Sequence, residues 1–440
     1  MTALQVTATT ARLLEVEAEA LLVRLGQVRP FVLTETMVVA ANLPYQAHRA
    51  IERFLFDGRM ALRREVVGFL GWLHGAGRGA PPEEQQRRFV VIRLRFNDVL
   101  SQLDMFAEVL TQRSEQTTGV WLSGLDHLAA DALRMPAPHP QLPPQICYLA
   151  RGSGAAIRRA RTRLPGGRLS PVAIIRVPRE RMVGHGVASS LVHEVGHQAA
   201  ALLGLVESLR AEIRARGDGG AWETWHRTVS ECVADFWAVG KLGISATLGL
   251  MAVVSLPRYF VFRPSGEDPH PTPYLRVLLS AAVGDVLYPH PQWRRMAETW
   301  RAFYPTGGLP ADHARAVAEL EPTVPAMARL LAGHRPPSLG GRALAEIMPL
   351  RRRRPEQLLA MHAAWRDDLG IVARLPPTLV FAAVGQARAA GRVSADQESD
   401  VLSSVLTAWA VRGSLEVLER DARVPSAVGT RAAQLERKLP

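Results

Sequence analysis

At 440 residues, with 48% apolar and 21% charged side chains, the chain has the composition of a globular protein and is too long for one core, so two or three domains are expected. A formal charge of +12 admits a polyanion partner, but Lys241 and Lys438 are the only lysines and the arginines are scattered, so no specific nucleic-acid partner is expected. Two cysteines, Cys147 and Cys232, exclude a disulfide framework and fit a reducing, cytoplasmic compartment.

Residues 10–135 read as a helical bundle. ARLLEVEAEALLVRL and NDVLSQLDMFAEVL carry apolar residues at three and four spacing, cut by Pro30, Gly75 to Gly79 and Pro81-Pro82. Glu15, Glu17 and Glu19 interrupt the first helix, where a signal peptide would need an uncharged stretch. The segment PAPHPQLPP opens a Pro-rich linker, residues 136–145, because five prolines in so short a run hold neither helix nor sheet ladder.

Beyond it the pattern changes. ICYLA (146–150) and PVAIIRVP (171–178) are short, β-branched and bounded by Gly or Pro, as strands are. Between them AAIRRARTRL predicts an Arg-rich helix, and Gly152-Ser153-Gly154 reads as a plain turn more readily than as a phosphate cradle.

The chemistry begins at VASSLVHEVGHQAAALLGL, an apolar stretch interrupted by His193, Glu194 and His197. Residues four apart share one face of a helix, so His193 and His197 can turn two imidazoles to one Zn²⁺ while Glu194 reaches a water on that ion. Burying these groups among Val, Leu and Ala costs several kcal/mol, about the penalty of unpaired polar groups, unless a metal pairs them. By composition alone HExxH should arise in roughly 0.02 such chains. The helix is expected to run from about residue 187 to 216 and to stop at Gly217-Asp218-Gly219-Gly220.

A second helix, AWETWHRTVSECVADFWAVGKL, carries Glu231 and Asp235 on one face. Catalytic zinc takes three protein ligands, His₂Glu among the known sets, and a helix returning across the Gly-rich turn brings Glu231 to the metal as the third. Asp235 can then accept the other ring N–H of a ligand histidine, His193 first, and fix its tautomer. The bland alternative, a solvated helix face, is disfavoured by the apolar neighbours Cys232, Val233, Ala234, Phe236 and Trp237. Residues 242–257 form the longest uncharged run, shorter than the ~20 residues of a membrane span, so a buried helix is expected there. In DPHPTPYLRV, His270 can donate to an oxyanion, and Arg276 can tether Asp235 or the substrate. The strand at 172–177, with Val172, Ile174 and Arg176, is expected to offer an edge to an extended peptide.

In this order HEVGH, ECVAD and HPTPYLRV resemble the gluzincin metallopeptidases, and among them the CAAX prenyl protease and HtpX-type family. The resemblance spans residues 171–277, about a quarter of the chain. It implies zinc ligands His193, His197 and Glu231, general base Glu194, Asp235 behind a ligand, and His270 and Arg276 near oxyanion and substrate. Those enzymes carry spanning helices, which this sequence lacks, so lipidated or membrane substrates do not carry over.

The remainder reads as helical. Arg351 to Arg354 read as a solvated turn, and Ser394-Ala395-Asp396-Gln397 matches a helix-capping box. The expected fold is mainly α with a small β-sheet: an N-terminal helical domain (1–135), the linker, a zincin-like core (146–310) and a C-terminal helical region (311–440). The expected function is zinc-dependent hydrolysis of a polypeptide. The alternative is a non-catalytic or latent zincin-fold component of an assembly, which needs metal ligands but no base.

Overall fold

A computed structural model describes residues 3–27, 38–136, 141–150, 155–178, 185–217, 219–263, 268–365 and 368–423. The fold is mainly α with one three-stranded sheet. Helices α1 (Ala3–Gln27), α2 (Tyr45–His74), α3 (Pro82–Thr111) and α4 (Gln116–Leu133) precede the sheet. Strand β1 (Gln145–Ala150) runs parallel to β3 (Ala173–Pro178), and β2 (Ala156–Arg158) pairs antiparallel to the other side of β3. Gly152 to Gly154 lie outside the described residues.

The strand alternation gives the sheet two occupations. Cys147, Leu149, Ile175 and Val177 face a large core shared with the helices that follow. Ile146, Val172 and Ile174 face the other way, onto Leu103 and Phe106 of α3 and Ile51 and Phe54 of α2. A third cluster, including Leu14, Leu21, Phe69 and Phe89, holds α1 to α2 and α3.

Helix α5 (His185–Leu203) carries the HExxH stretch and is buried against the sheet, α7 (Gly220–Leu242) and α8 (Ile244–Val254). The helix expected to reach residue 216 breaks at Gly204, which takes a left-handed φ of 65°, and α6 (Leu205–Arg214) continues in a new direction. At Gly196 the backbones of α5 and α7 come close: a Cβ there would sit 2.8 Å from the Cα of Ala234 and 3.0 Å from its carbonyl oxygen. Gly196→Ala must therefore push the two helices apart, and we expect a loss of about 1–3 kcal/mol, the usual penalty of overpacking. Urea unfolding checks this, and an unchanged midpoint would show that the approach is not tight.

The chain continues through α9 (Arg258–Phe262), α10 (Pro273–Leu287), α11 (Pro291–Phe303), α12 (Ala311–Leu320) and α13 (Val324–Gly333). It ends in α14 (Pro355–Trp365), α15 (Leu369–Val372), α16 (Pro377–Ala389) and α17 (Ala395–Arg423). The large core draws on Leu122 and Leu125 of α4 as well as on Phe381 of α16 and Leu406 of α17. Among the described residues no helix is long and apolar enough to cross a membrane, and residues 244–254 form the buried helix α8.

Two local expectations are corrected. The Arg-rich segment 155–164 is not a helix: Ile157 pairs with Ile175 in the sheet, and Arg161 takes a φ of 63° that no helix contains. The Arg351 to Arg354 run is not wholly solvated, because Arg353 is buried, donating from Nε to the Lys241 carbonyl (2.8 Å) and from Nη2 to Thr378 Oγ1 (2.9 Å). The capping box at Ser394 forms in both directions: Ser394 N–H donates to Gln397 Oε1 (2.9 Å), and Gln397 N–H donates to Ser394 Oγ (3.2 Å).

Candidate metal centre

Three elements deliver the polar groups. Helix α5 presents His193, Glu194 and, one turn on from His193, His197; α7, entered through Gly219 at φ 98°, presents Glu231 and Asp235; the segment before α10 presents His270, and α10 itself presents Arg276. One ligand atom each from His193, His197 and Glu231 lies within 4.8 Å of the others. His193 Nε2 is 3.1 Å from Glu231 Oε2, and His197 Nε2 is 3.4 Å from Glu231 Oε1.

These distances fit a tetrahedral ion. Ligand atoms about 2.0–2.2 Å from a metal are about 3.4 Å from one another at tetrahedral angles. Two imidazole nitrogens and a carboxylate oxygen are also a donor set suited to a divalent first-row metal. The three residues can thus hold a metal ion.

Behind the ligands lies a buried network. Asp235 accepts from His193 Nδ1 at 2.8 Å, which leaves Nε2 directed at Glu231. Both Asp235 oxygens also take Arg276, with Nε to Oδ2 at 2.6 Å and Nη2 to Oδ1 at 2.9 Å, a two-pronged pairing of planar groups. Burial works against the charge on His193, but Asp235 and Glu231 outweigh it and hold the imidazole at about 9. An ion that takes His193 Nε2 therefore displaces a proton. Burial likewise opposes ionisation of Glu231 and Asp235, yet hydrogen bonds from the histidines and the charge of Arg276 hold both carboxyls below the usual range.

His270 joins the cluster from outside. Its Nε2 is 3.2 Å from Glu231 Oε2, and its Nδ1 is 2.6 Å from Asp268 Oδ1, which also accepts the His270 backbone N–H at 2.9 Å. The hydrogen bond to Glu231 raises its pKa.

Glu194 is 9% exposed and lines a cleft of about 130 Å³ with Ser189, Ser190, His193, His270 and Ala155. Among the described residues its carboxylate makes no hydrogen bond or ion pair. The Glu194 carboxylate thus faces this cleft without a protein partner among the described residues, beside His193 of the cluster that can hold a metal ion.

Seven of the ten candidate residues thus come together: His193, Glu194, Asp235, His270 and Arg276 line the cleft, and Glu231, which contacts His193, His197 and His270, brings in His197. Val172, Ile174 and Arg176 do not. Ile174 and Arg176 lie on the central strand, which is paired on both sides, Val172 lies just before it, and Ile174 and Arg176 line a separate cavity on the face turned away from α5. The edge beside the cleft belongs to β2, whose preceding residue Ala155 lines it.

Three further residues adjoin the cluster. Gln198, next to His197, accepts the Ala160 backbone N–H with Oε1 (2.8 Å) and ties the end of β2 to α5. Ser230 Oγ is 3.4 Å from His197 Nδ1. Asp268 was legible as an Asp two residues before a His, a spacing that closes a side-chain turn. Gln198 and Ser230 carry no such local signal. Comparison with protein-family models, curated proteins and solved structures returns no match.

Proposed function

We propose that this protein is a zinc metallopeptidase of the gluzincin type, an endopeptidase acting on polypeptides. The observation that carries the reading is the Glu194 carboxylate, without a partner among the described residues, in one cleft with His193, which with His197 and Glu231 forms a cluster able to hold a metal ion. Zinc held by the triad would supply a water of lowered pKa and a Lewis acid for the peptide carbonyl. Glu194 takes a proton at its carboxylate and returns it to the departing amine. Asp235 keeps the proton of His193 on Nδ1, so that Nε2 stays a lone-pair donor, and Arg276 keeps Asp235 ionised.

An extended substrate adds to the outer side of β2, where among the described residues no strand pairs, and β2 leads from the cleft at Ala155. Buried, unpaired Cys147 and Cys232 suit the cytoplasmic setting that this reading takes.

The reading is tested on the purified full chain by its metal content and by cleavage of an unfolded test protein, before and after chelation and zinc return. Cleavage that chelation abolishes and zinc restores is expected; a chain with neither zinc nor cleavage overturns the proposal.

His270 is assigned to the oxyanion side. Its ring is held by Asp268, and Pro269 and Pro271 restrict its backbone, so it is positioned before substrate arrives. His270→Ala is expected to keep zinc and lower turnover by about 10² to 10³, the usual loss for one oxyanion donor. Zinc loss in this variant would instead make His270 a support of Glu231, with which it is in contact.

A further inference from the structure

A cavity of about 260 Å³ lies where β1, the C-terminal half of α4, the start of α2 and α17 meet, and it shares no lining residue with the metal cleft. One side is the stretch from Leu142 to Gln145, which leads from the Pro-rich segment into the first residue of β1. We infer that this cavity binds a small neutral molecule that carries an amide edge, an N–H beside a carbonyl, on a flat apolar body. The inference is independent of the peptidase reading.

The observation behind it is Gln145. The residue is 2% exposed, and among the described residues neither its Oε1 nor its Nε2 has a hydrogen-bond partner. Strand alternation sets its direction: Cys147 and Leu149, on the same face of β1, share a core with Leu125 and Leu133 of α4, whereas Ile146 packs on α2 and α3. Gln145 is therefore turned toward α4, which supplies His127, Ala130 and Leu133 to the cavity. A buried carboxamide with both halves unpaired weakens the fold, and a ligand that offers one donor and one acceptor side by side satisfies it. Rotation about its own χ angles lets the amide meet that ligand without backbone movement.

The surroundings narrow the ligand. Pro143 and Pro144 bring no N–H to the wall, and the Pro144 carbonyl already accepts the Ala173 N–H at 2.9 Å. Together with Leu133 and Leu142 they make the walls apolar, and Tyr45 adds an aromatic ring. His127 is the second polar group. Its ring lies against Gly413 of α17, where a Cβ would sit 2.7 Å from Cε1, and among the described residues it makes no hydrogen bond. Burial lowers its pKa, so at neutral pH it is an uncharged imidazole that can give or take a hydrogen bond. An ion placed between two uncharged groups would lose hydration and gain no counter-charge. Arg134 and Glu416 also line the cavity, but both are exposed to solvent, which screens them.

The test titrates the purified full chain with benzamide, N,N-dimethylbenzamide and benzoate, three probes built on one ring, and reads affinity by ligand-observed NMR. Benzamide is expected to bind about ten-fold tighter than either of the others, because the dimethyl amide gives Gln145 Oε1 no donor and benzoate sets an anion against it. Gln145→Leu nearly keeps the volume and should erase the difference, with a melting temperature at or above that of the wild type, since no hydrogen bond goes with the amide. Ala130→Trp, at an exposed helix position, should fill the cavity and block benzamide, and it locates the site even if Gln145→Leu misfolds. Absence of benzamide binding overturns the proposal, as does equal binding of the three probes, which marks a merely apolar cavity. Tightest binding by benzoate hands recognition to Arg134 and overturns it too. So does benzamide binding that survives Ala130→Trp, because the probe then sits elsewhere.

Discussion

Glu194→Gln is expected to bind zinc at the wild-type level and to lose hydrolysis by about 10² to 10⁴, the contribution of one positioned general base. The amide keeps the volume of the carboxylate in a cleft where only 9% of the residue is exposed, so packing along α5 is undisturbed. Nor does the change break an existing bond, because among the described residues the Glu194 carboxylate makes none. What it removes is the capacity to accept a proton beside the triad. The measurement pairs metal analysis with initial rates on an unfolded protein substrate. Wild-type rates in Glu194→Gln would take this residue out of the mechanism and favour the alternative of a zincin-fold scaffold, which needs ligands but no base.

How far the sequence was legible depends on how local each feature is. His193 and His197 were readable because a helix alone sets their four-residue spacing, and Glu231 because a Gly-rich turn must send the next helix back. The pairing of β3 on both sides was not readable, since which strand is central depends on partners far along the chain. That is why Val172, Ile174 and Arg176 were given an edge that β2 owns. The segment 155–164 misled for a related reason: Ala and Arg favour helix locally, but pairing of Ile157 with Ile175 and the Gln198 bond to Ala160 outweigh propensity. Arg353 looked like one of four solvated arginines because nothing local shows that Lys241 and Thr378 supply it with acceptors.

His197→Ala carries the other large effect. We expect the purified variant to lose bound zinc, because two remaining ligands, His193 and Glu231, leave the ion half coordinated. The rest of the protein should stay folded. His197 makes a 3.4 Å contact with Ser230, one with Glu231 and an edge-on ring contact with His193, whereas α5 and α7 are joined by the Gly196 to Ala234 approach and the core around Val195, Val233 and Trp237. Unlike Asp235, whose loss would strand Arg276 as an uncompensated buried charge, His197 can be removed without orphaning a partner. Zinc should therefore raise the melting temperature of the wild-type protein, since an ion bound only by the native state stabilises it, and leave that of His197→Ala where it was. A full zinc complement in His197→Ala, or an equal zinc-dependent shift in both proteins, would put the ion elsewhere than at this triad.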